Sequence, residues 1–304
     1  MRQAFSDSLV RIADADPRVL LLTGDHGYAL FDAFRKAHPD RYINAGIAEQ
    51  NMVGMAAGLA RMGFRPFVYG LSAFVPVRVL EQIKLDVAHD DLPVIFVGDG
   101  AGFVYSHLGT SHQSLEDIAC IRAIPGMTVL SPADRHELTA AMDYAHAAKR
   151  SIYLRMGKAD LGDVHASNSM IDVTRLQCLR SGRSGGTVIL ATGPIATTAL
   201  RVADQVSGAA VWTAPLIKPF DIDALTSICR SAGRLVTMEE HSVIGGFGSL
   251  VTEEVSAIHP LPVLRIGVRD RFSEHCGSYD YLLREHGLDL DTVAAQVKAF
   301  DARN

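Results

Sequence analysis

Short apolar runs alternate with helical patterns along almost the whole chain, and this alternation constrains the fold more than any other feature. The runs at 19–25 (VLLLTGD), 65–70 (RPFVYG), 92–100 (LPVIFVGDG), 127–132 (MTVLSP) and 151–157 (SIYLRMG) are bounded by turn residues and read as buried strands. Helical patterns fill 2–15, 48–62, 74–90, 114–123 and 134–148. The last opens SPADRHEL, with Asp134 followed three residues later by Glu137, a capping box with Asp in the Ser/Thr role. Strands separated by helices build a mostly parallel sheet, because each crossover lays a helix on one of its faces.

The pattern breaks over 160–186, which is polar and glycine-rich and reads as a linker with a short strand or two. It then restarts: strands at 186–193, 209–215, 234–240 and 261–268, helices at 195–206, 221–231 and 246–257. The expected fold class is therefore α/β in two domains, each a mostly parallel sheet with helices on both faces. The expected boundaries are 1–165, a linker at 166–184, and 185–304.

At 304 residues the chain is ample for two cores. A net charge of −5 with mixed signs argues against nucleic acid as a partner. No run reaches the roughly 18 apolar residues of a membrane span. Asp7, Asp14 and Asp16 interrupt any leader pattern near Met1. The 4 cysteines are scattered without metal spacing and read as free thiols in a reducing compartment, so a cytoplasmic location is expected.

Four stretches carry candidate chemistry. Glu49 heads a run of small and apolar residues, NMVGMAAGLA, where a buried acid is costly unless paired. GDG at 98–100 ends a strand, where open α/β sheets place ligands, but Asn44, Asn51, Asn168 and Asn304 all miss the spacing of a metal-binding partner, so it reads as a turn. His107 and His112, in SHLGTSHQSLED, lack the spacing and companions of a metal site and read as a polar loop that presents histidine to a substrate. MEEHSVIGGFGS at 238–249 reads as a strand–helix turn; as a phosphate loop it lacks the lysine.

Three of these stretches, RYINAGIAEQNMVGMAAGLA, GTSHQSLEDIACIRAIPGMTVLSPAD and MEEHSVIGGFGS, together resemble the C-terminal half of a transketolase, over the whole chain. The resemblance implies a pyrimidine-binding domain followed by the small C-terminal domain, and thiamin diphosphate as cofactor. Full-length members carry a further, N-terminal domain with the GDG…N metal site. The chain thus resembles the second subunit of a split enzyme. The implied partner is an N-terminal subunit that holds Mg2+ and the diphosphate, in an α2β2 assembly.

By the same resemblance Glu49 hydrogen-bonds the aminopyrimidine ring and holds the proton that favours its imino form. Phe74 matches the aromatic that stacks on the pyrimidine, and Asp25 and Ile47 match cofactor contacts. His112 matches the active-site histidine that meets the donor sugar. Arg2 and Arg155 match arginines that bind the sugar phosphate. Leu71, Val77, Gly100 and Leu108 depart from the pattern. Leu108 replaces an acid that reads hydroxyl stereochemistry, and His107 beside it is a candidate to compensate.

The implied activity is transfer of a two-carbon ketol unit from a ketose, or its phosphate, to an aldose. Two alternatives stay open. One is the beta subunit of a 2-oxoacid dehydrogenase or a synthase-like decarboxylase. The other is a catalytically silent interaction or regulatory subunit.

Overall fold

The computed structural model describes residues 1–158, 160–167 and 169–302; Asn168, inside the expected linker, and Asn304 lie outside the described residues. Among the described residues twelve strands form: β1 (Val19–Thr23), β2 (Tyr42–Asn44), β3 (Arg65–Leu71), β4 (Ile95–Asp99), β5 (Thr128–Leu130), β6 (Ile152–Met156), β7 (Gln177–Arg180), β8 (Thr187–Ala191), β9 (Ala210–Thr213), β10 (Leu216–Lys218), β11 (Arg234–Ser242) and β12 (Val263–Val268). A seven-stranded sheet runs β10-β5-β6-β4-β3-β1-β2 and a five-stranded sheet runs β12-β11-β8-β9-β7. Each of these pairings is parallel except β10 with β5 and β7 with β9. This is the α/β class that the alternation predicts.

The strand β10 departs from the expected partition. It follows β9 in the second half of the chain, yet it adds to the edge of the first sheet, with Leu216 opposite Leu130. The Ser131 N–H donates to the Pro215 carbonyl at 2.8 Å, and the Gly193 N–H donates to the Ser131 carbonyl at 3.1 Å. These bonds cover an otherwise open sheet edge and tie the two halves together.

The helix expected over 74–90 is also divided. A 3-10 turn at Val77–Val79 leads into one α turn at Leu80–Gln82 and then a π-helical stretch at Ile83–Ala88. Pro76 has no N–H to donate and the β-branched Val77 and Val79 favour other backbone states, so a regular helix starts late. At the cap predicted at Asp134, its carboxylate accepts from the N–H groups of His136 and Glu137. Glu137 reaches back one residue further than a capping box requires, to the Ala133 N–H at 2.6 Å.

The helix Glu49–Arg61 buries Met52, Val53, Ala56, Ala57 and Ala60 against the first sheet. Gln50, Asn51, Gly54 and Gly58 are exposed on its other side, and a Cβ added at Gly54 or Gly58 would meet open space. The run of small and apolar residues after Glu49 therefore has one packed face and one free face.

Candidate functional site

The C-terminal ends of β1, β3 and β4 deliver the candidate residues, as expected for a parallel sheet. At the end of β2, the Asn44 side-chain carbonyl accepts from the Asp25 N–H at 3.1 Å and the Gly46 N–H at 2.9 Å. Gly46 takes a φ of 71°, open to glycine at no cost. This turn starts the helix with Glu49 in its first position, where the exposed N–H groups favour a negative charge.

The Glu49 side chain is 6% exposed, and its Oε2 accepts from Arg78 Nη1 at 3.2 Å. Arg78 also lays its guanidinium over the Phe74 ring, 3.9 Å from the centroid. The turn after β3 sets Phe74, whose N–H donates to the Leu71 carbonyl at 2.8 Å. The other edge of the site is His112, 5.2 Å from Phe74 between ring centroids and tilted by 67°. Glu49, Arg78, Phe74 and His112 thus form one continuous patch. Of these, Arg78 is absent from the residues that the sequence singles out. Its spacing of four from Phe74 is the only signal for it there.

His112 ends the turn Thr110–His112, and its Nδ1 lies 3.0 Å from Ser111 Oγ. The loop is closed by a bridge between Gly102 and Ser114. The C-terminal region holds it from outside, since Ser273 Oγ donates to Gln113 Oε1 at 2.9 Å and lies 2.9 Å from His286 Nε2. His107 is exposed on the preceding turn.

The remaining predicted residues divide. Asp25 is exposed at a φ of 61°, which Asp tolerates better than most residues, and Asn44 Nδ2 donates to its Oδ1 at 3.1 Å. Ile47 is 81% exposed at the lip of the patch. Arg2 reaches Asp99 Oδ2 at 2.9 Å with half of its side chain still exposed.

Arg155 is buried at the seam between the two halves of the chain. Its side chain is 2% exposed against an Asp117 that is fully buried. Nε donates to Asp117 Oδ2 at 2.8 Å and Nη2 donates to the Glu240 carbonyl at 2.9 Å. A guanidinium held in this way joins the two halves of the chain.

The segment MEEHSVIGGFGS belongs to the same seam. Both Glu239 oxygens accept N–H groups at the start of the helix Phe247–Ile258, from Phe247 and Gly248, each at 2.7 Å. The donors that a phosphate would need are thereby occupied by the chain's own acid, whose pKa burial pushes up to about 7. Glu240 accepts from the Phe103 N–H at 2.6 Å and the Tyr279 hydroxyl at 2.5 Å. His241 is completely buried; its Nε2 accepts from the Ala119 N–H at 3.3 Å, so Nδ1 carries the proton and donates to the Ser242 carbonyl at 2.7 Å. Burial drives this imidazole down to about 4.

Among the described residues, no group of three or more His, Cys, Asp or Glu is placed to hold a metal ion, and no helix is long and apolar enough to cross a membrane. A buried carboxylate beside a half-buried aromatic face suits a flat, hydrogen-bonding heteroaromatic ring.

Comparison with known proteins gives this geometry a context. Residues 1–163 match the domain family "Transketolase, pyrimidine binding domain", and residues 179–293 match "Transketolase, C-terminal domain". The chain is 37% identical to the 6-deoxy-6-sulfo-D-fructose transketolase subunit SqwH of Clostridium sp. (strain MSTE9), over 96% of this chain and 92% of that one. It is 32% identical to an apulose-4-phosphate transketolase subunit of Phocaeicola vulgatus, over 98% and 96% of the two chains. It is 34% identical to the 1-deoxy-D-xylulose-5-phosphate synthase of Syntrophus aciditrophicus (strain SB), of which it spans 46%. A solved structure described as "Split gene transketolase, inactive beta4 tetramer" superposes with a TM-score of 0.87 at 33% identity, covering 98% of this chain and 96% of that chain.

Proposed function

We propose, for a chain that belongs to the transketolase family, that it is the C-terminal subunit of a two-subunit transketolase and moves a two-carbon ketol unit from a ketose to an aldose. The observation that carries this reading is the extent of the likeness. The two subunit relatives are matched over 92% and 96% of their own length, whereas the single-chain synthase is matched over 46%. The chain therefore corresponds to a whole subunit of the former and to about half of the latter.

Thiamin diphosphate, when bound, supplies the carbanion chemistry that breaks and remakes the carbon–carbon bond beside a carbonyl. Glu49 would hold a proton at the ring nitrogen of the aminopyrimidine, from a carboxylate that is 6% exposed and so shielded from bulk water. Phe74 would offer the ring an apolar face, with Ile47 and Asp25 at its margin. His112, with Nδ1 engaged by Ser111, keeps Nε2 for an oxygen of the sugar. His107 is close enough in sequence to serve the same substrate.

The Mg2+ and the diphosphate would lie on an N-terminal subunit with a GDG…N segment. The free face of the helix Glu49–Arg61, with Gly54 and Gly58 open to close approach, suits self-association into an α2β2 enzyme. We place the domain boundaries near 165 and 185, and the protein in the cytoplasm.

The test is reconstitution with the N-terminal subunit, followed by product analysis with a ketose or pyruvate as donor. Ketol transfer from the ketose supports the reading. Turnover of pyruvate alone assigns the chain to decarboxylating relatives, and no cofactor-dependent turnover leaves the silent subunit.

A further inference from the structure

The loop that carries His112 is closed at its stem by the bridge between Gly102 and Ser114, and a buried histidine from the other half of the chain serves both sides of that stem. We propose that His286 is a positioning residue for the ketol-transfer site: acting through Ser273 and Gln113 and against Phe103, it holds the stem of the loop and so sets His112 against Phe74. This rests on the transketolase reading above and adds a residue to the same site.

Two lines of contact converge on one imidazole. On one side of the stem Phe103, next to Gly102, is fully buried, and its N–H donates to Glu240 Oε1 at 2.6 Å. Its ring stacks on the His286 ring, with centroids 4.9 Å apart and planes 25° apart. On the other side Gln113, next to Ser114, is buried and accepts through Oε1 from Ser273 Oγ at 2.9 Å. Gln113 Nε2 is also buried and makes no hydrogen bond among the described residues, so the bond to Ser273 is what fixes this amide. A serine hydroxyl has one proton, and here it goes to Gln113. The 2.9 Å contact between Ser273 Oγ and His286 Nε2 is then a bond that the Nε2–H donates. The bonds run from His286 to Ser273 to Gln113, the chain neighbour of His112.

The imidazole is itself set by the backbone. His286 follows the helix Tyr279–Glu285, and its N–H donates to the Leu282 carbonyl at 3.0 Å. Gly287, with a φ of 68°, ends the helix behind it. Burial, with the Arg271 guanidinium adding to it and Glu285 opposing it, lowers the His286 pKa below the ordinary 6.5 and keeps the ring neutral. By contrast, the hydrogen-bond partner of the His112 ring, Ser111, lies on the same loop and moves with it. The place of His112, 5.2 Å from Phe74, is therefore set from the stem.

The experiment uses the reconstituted two-subunit enzyme and three variants of this chain. His286→Phe keeps a ring on Phe103 but cannot donate to Ser273. His286→Gln can donate and is the conservative rescue. Ser273→Ala removes the relaying hydroxyl and does not depend on a histidine variant folding. With D-xylulose 5-phosphate and D-fructose 6-phosphate as donors, His286→Phe and Ser273→Ala should each raise the donor KM about tenfold and change kcat by about twofold or less. The Kd of thiamin diphosphate, measured by calorimetry, should stay within about twofold of wild type, since Glu49 and Phe74 lie outside the loop. His286→Gln should bring the donor KM back to within about threefold of wild type. Hydrogen exchange of the amides of residues 104–112, in the same complex without sugar, should quicken about tenfold in His286→Phe and Ser273→Ala but not in His286→Gln. A wild-type donor KM in Ser273→Ala overturns the proposal, as does a His286→Gln as impaired as His286→Phe, or a cofactor Kd that weakens as much as the donor KM rises. If neither ketose turns over, the transketolase reading fails, and the exchange comparison still decides: faster exchange in Ser273→Ala supports the hold on the loop, and unchanged exchange overturns it.

Discussion

Arg78 Nη1 lies 3.2 Å from Glu49 Oε2, so the one acid at the head of the small-residue helix is paired by a cation that reaches in from the segment after β3. The same guanidinium covers the Phe74 ring at 3.9 Å. A ligand that uses both Glu49 and Phe74 must displace it. Arg78 is 45% exposed, so the ion pair and the cation–π contact together are worth only about 1 kcal/mol. Arg78→Ala is therefore expected to tighten thiamin diphosphate binding to the reconstituted enzyme by about fivefold, measured by calorimetry. A tenfold weakening would show that Arg78 holds the cofactor and does not merely stand in its place.

Glu49→Gln keeps the size of the side chain and its hydrogen bonding but cannot exchange a proton. Ketol transfer should fall roughly 100- to 10,000-fold, while circular dichroism and the melting temperature stay close to wild type. Activity within a factor of three of wild type would remove Glu49 from the chemistry.

The buried pair Arg155–Asp117 predicts a stability effect. Asp117 Oδ2 accepts from the Tyr153 hydroxyl at 2.6 Å and from Arg155 Nε at 2.8 Å. Asp117→Asn leaves a buried guanidinium without its counter-charge and should cost about 3–5 kcal/mol in urea unfolding. A cost below about 1 kcal/mol, together with a raised KM for a phosphorylated donor, would support Arg155 as a substrate ligand.

The seam at His241 predicts acid sensitivity. Its pKa falls from the ordinary 6.5 to about 4 on folding, so the unfolded chain binds more protons between those values. Stability from this group is full above pH 6.5 and is lost as pH falls toward 4. The loss at pH 5 is about 2 kcal/mol relative to neutral pH. Glu239, whose pKa is raised to about 7, acts in the opposite direction over 4.5 to 7, so the comparison must be with a variant. His241→Gln should lose less stability than wild type between pH 7 and pH 5. Equal losses would contradict the assignment.

The sheets and the Glu49 helix are legible in the sequence because they rest on short-range patterns: continuous apolar runs for buried parallel strands, and small residues in a helical window. The edge strand β10 is not, since three residues, Leu216–Lys218, carry no period and their partner β5 lies far away in the chain. Arg78 escapes a sequence reading because it comes to Glu49 only through the folded turn after β3. Asp99 reads as part of a turn because its bond to Arg2 spans 97 positions. Motif position makes Arg155 a sugar-phosphate ligand by resemblance, whereas its bonds to Asp117 and to the Glu240 carbonyl of β11 form only in the folded chain. Glu49, Phe74 and His112 are each identified by local motifs, and their contacts through Phe74 and Arg78 are tertiary.

The most direct test of the split-enzyme reading is a native mass spectrum of the tagged chain purified gently from its own cells. The expected spectrum shows two copies of this chain with two copies of a second protein that carries a GDG…N segment, together with thiamin diphosphate and Mg2+. A homo-oligomer of this chain alone, without cofactor and with no activity restored by any co-purifying protein, would contradict it.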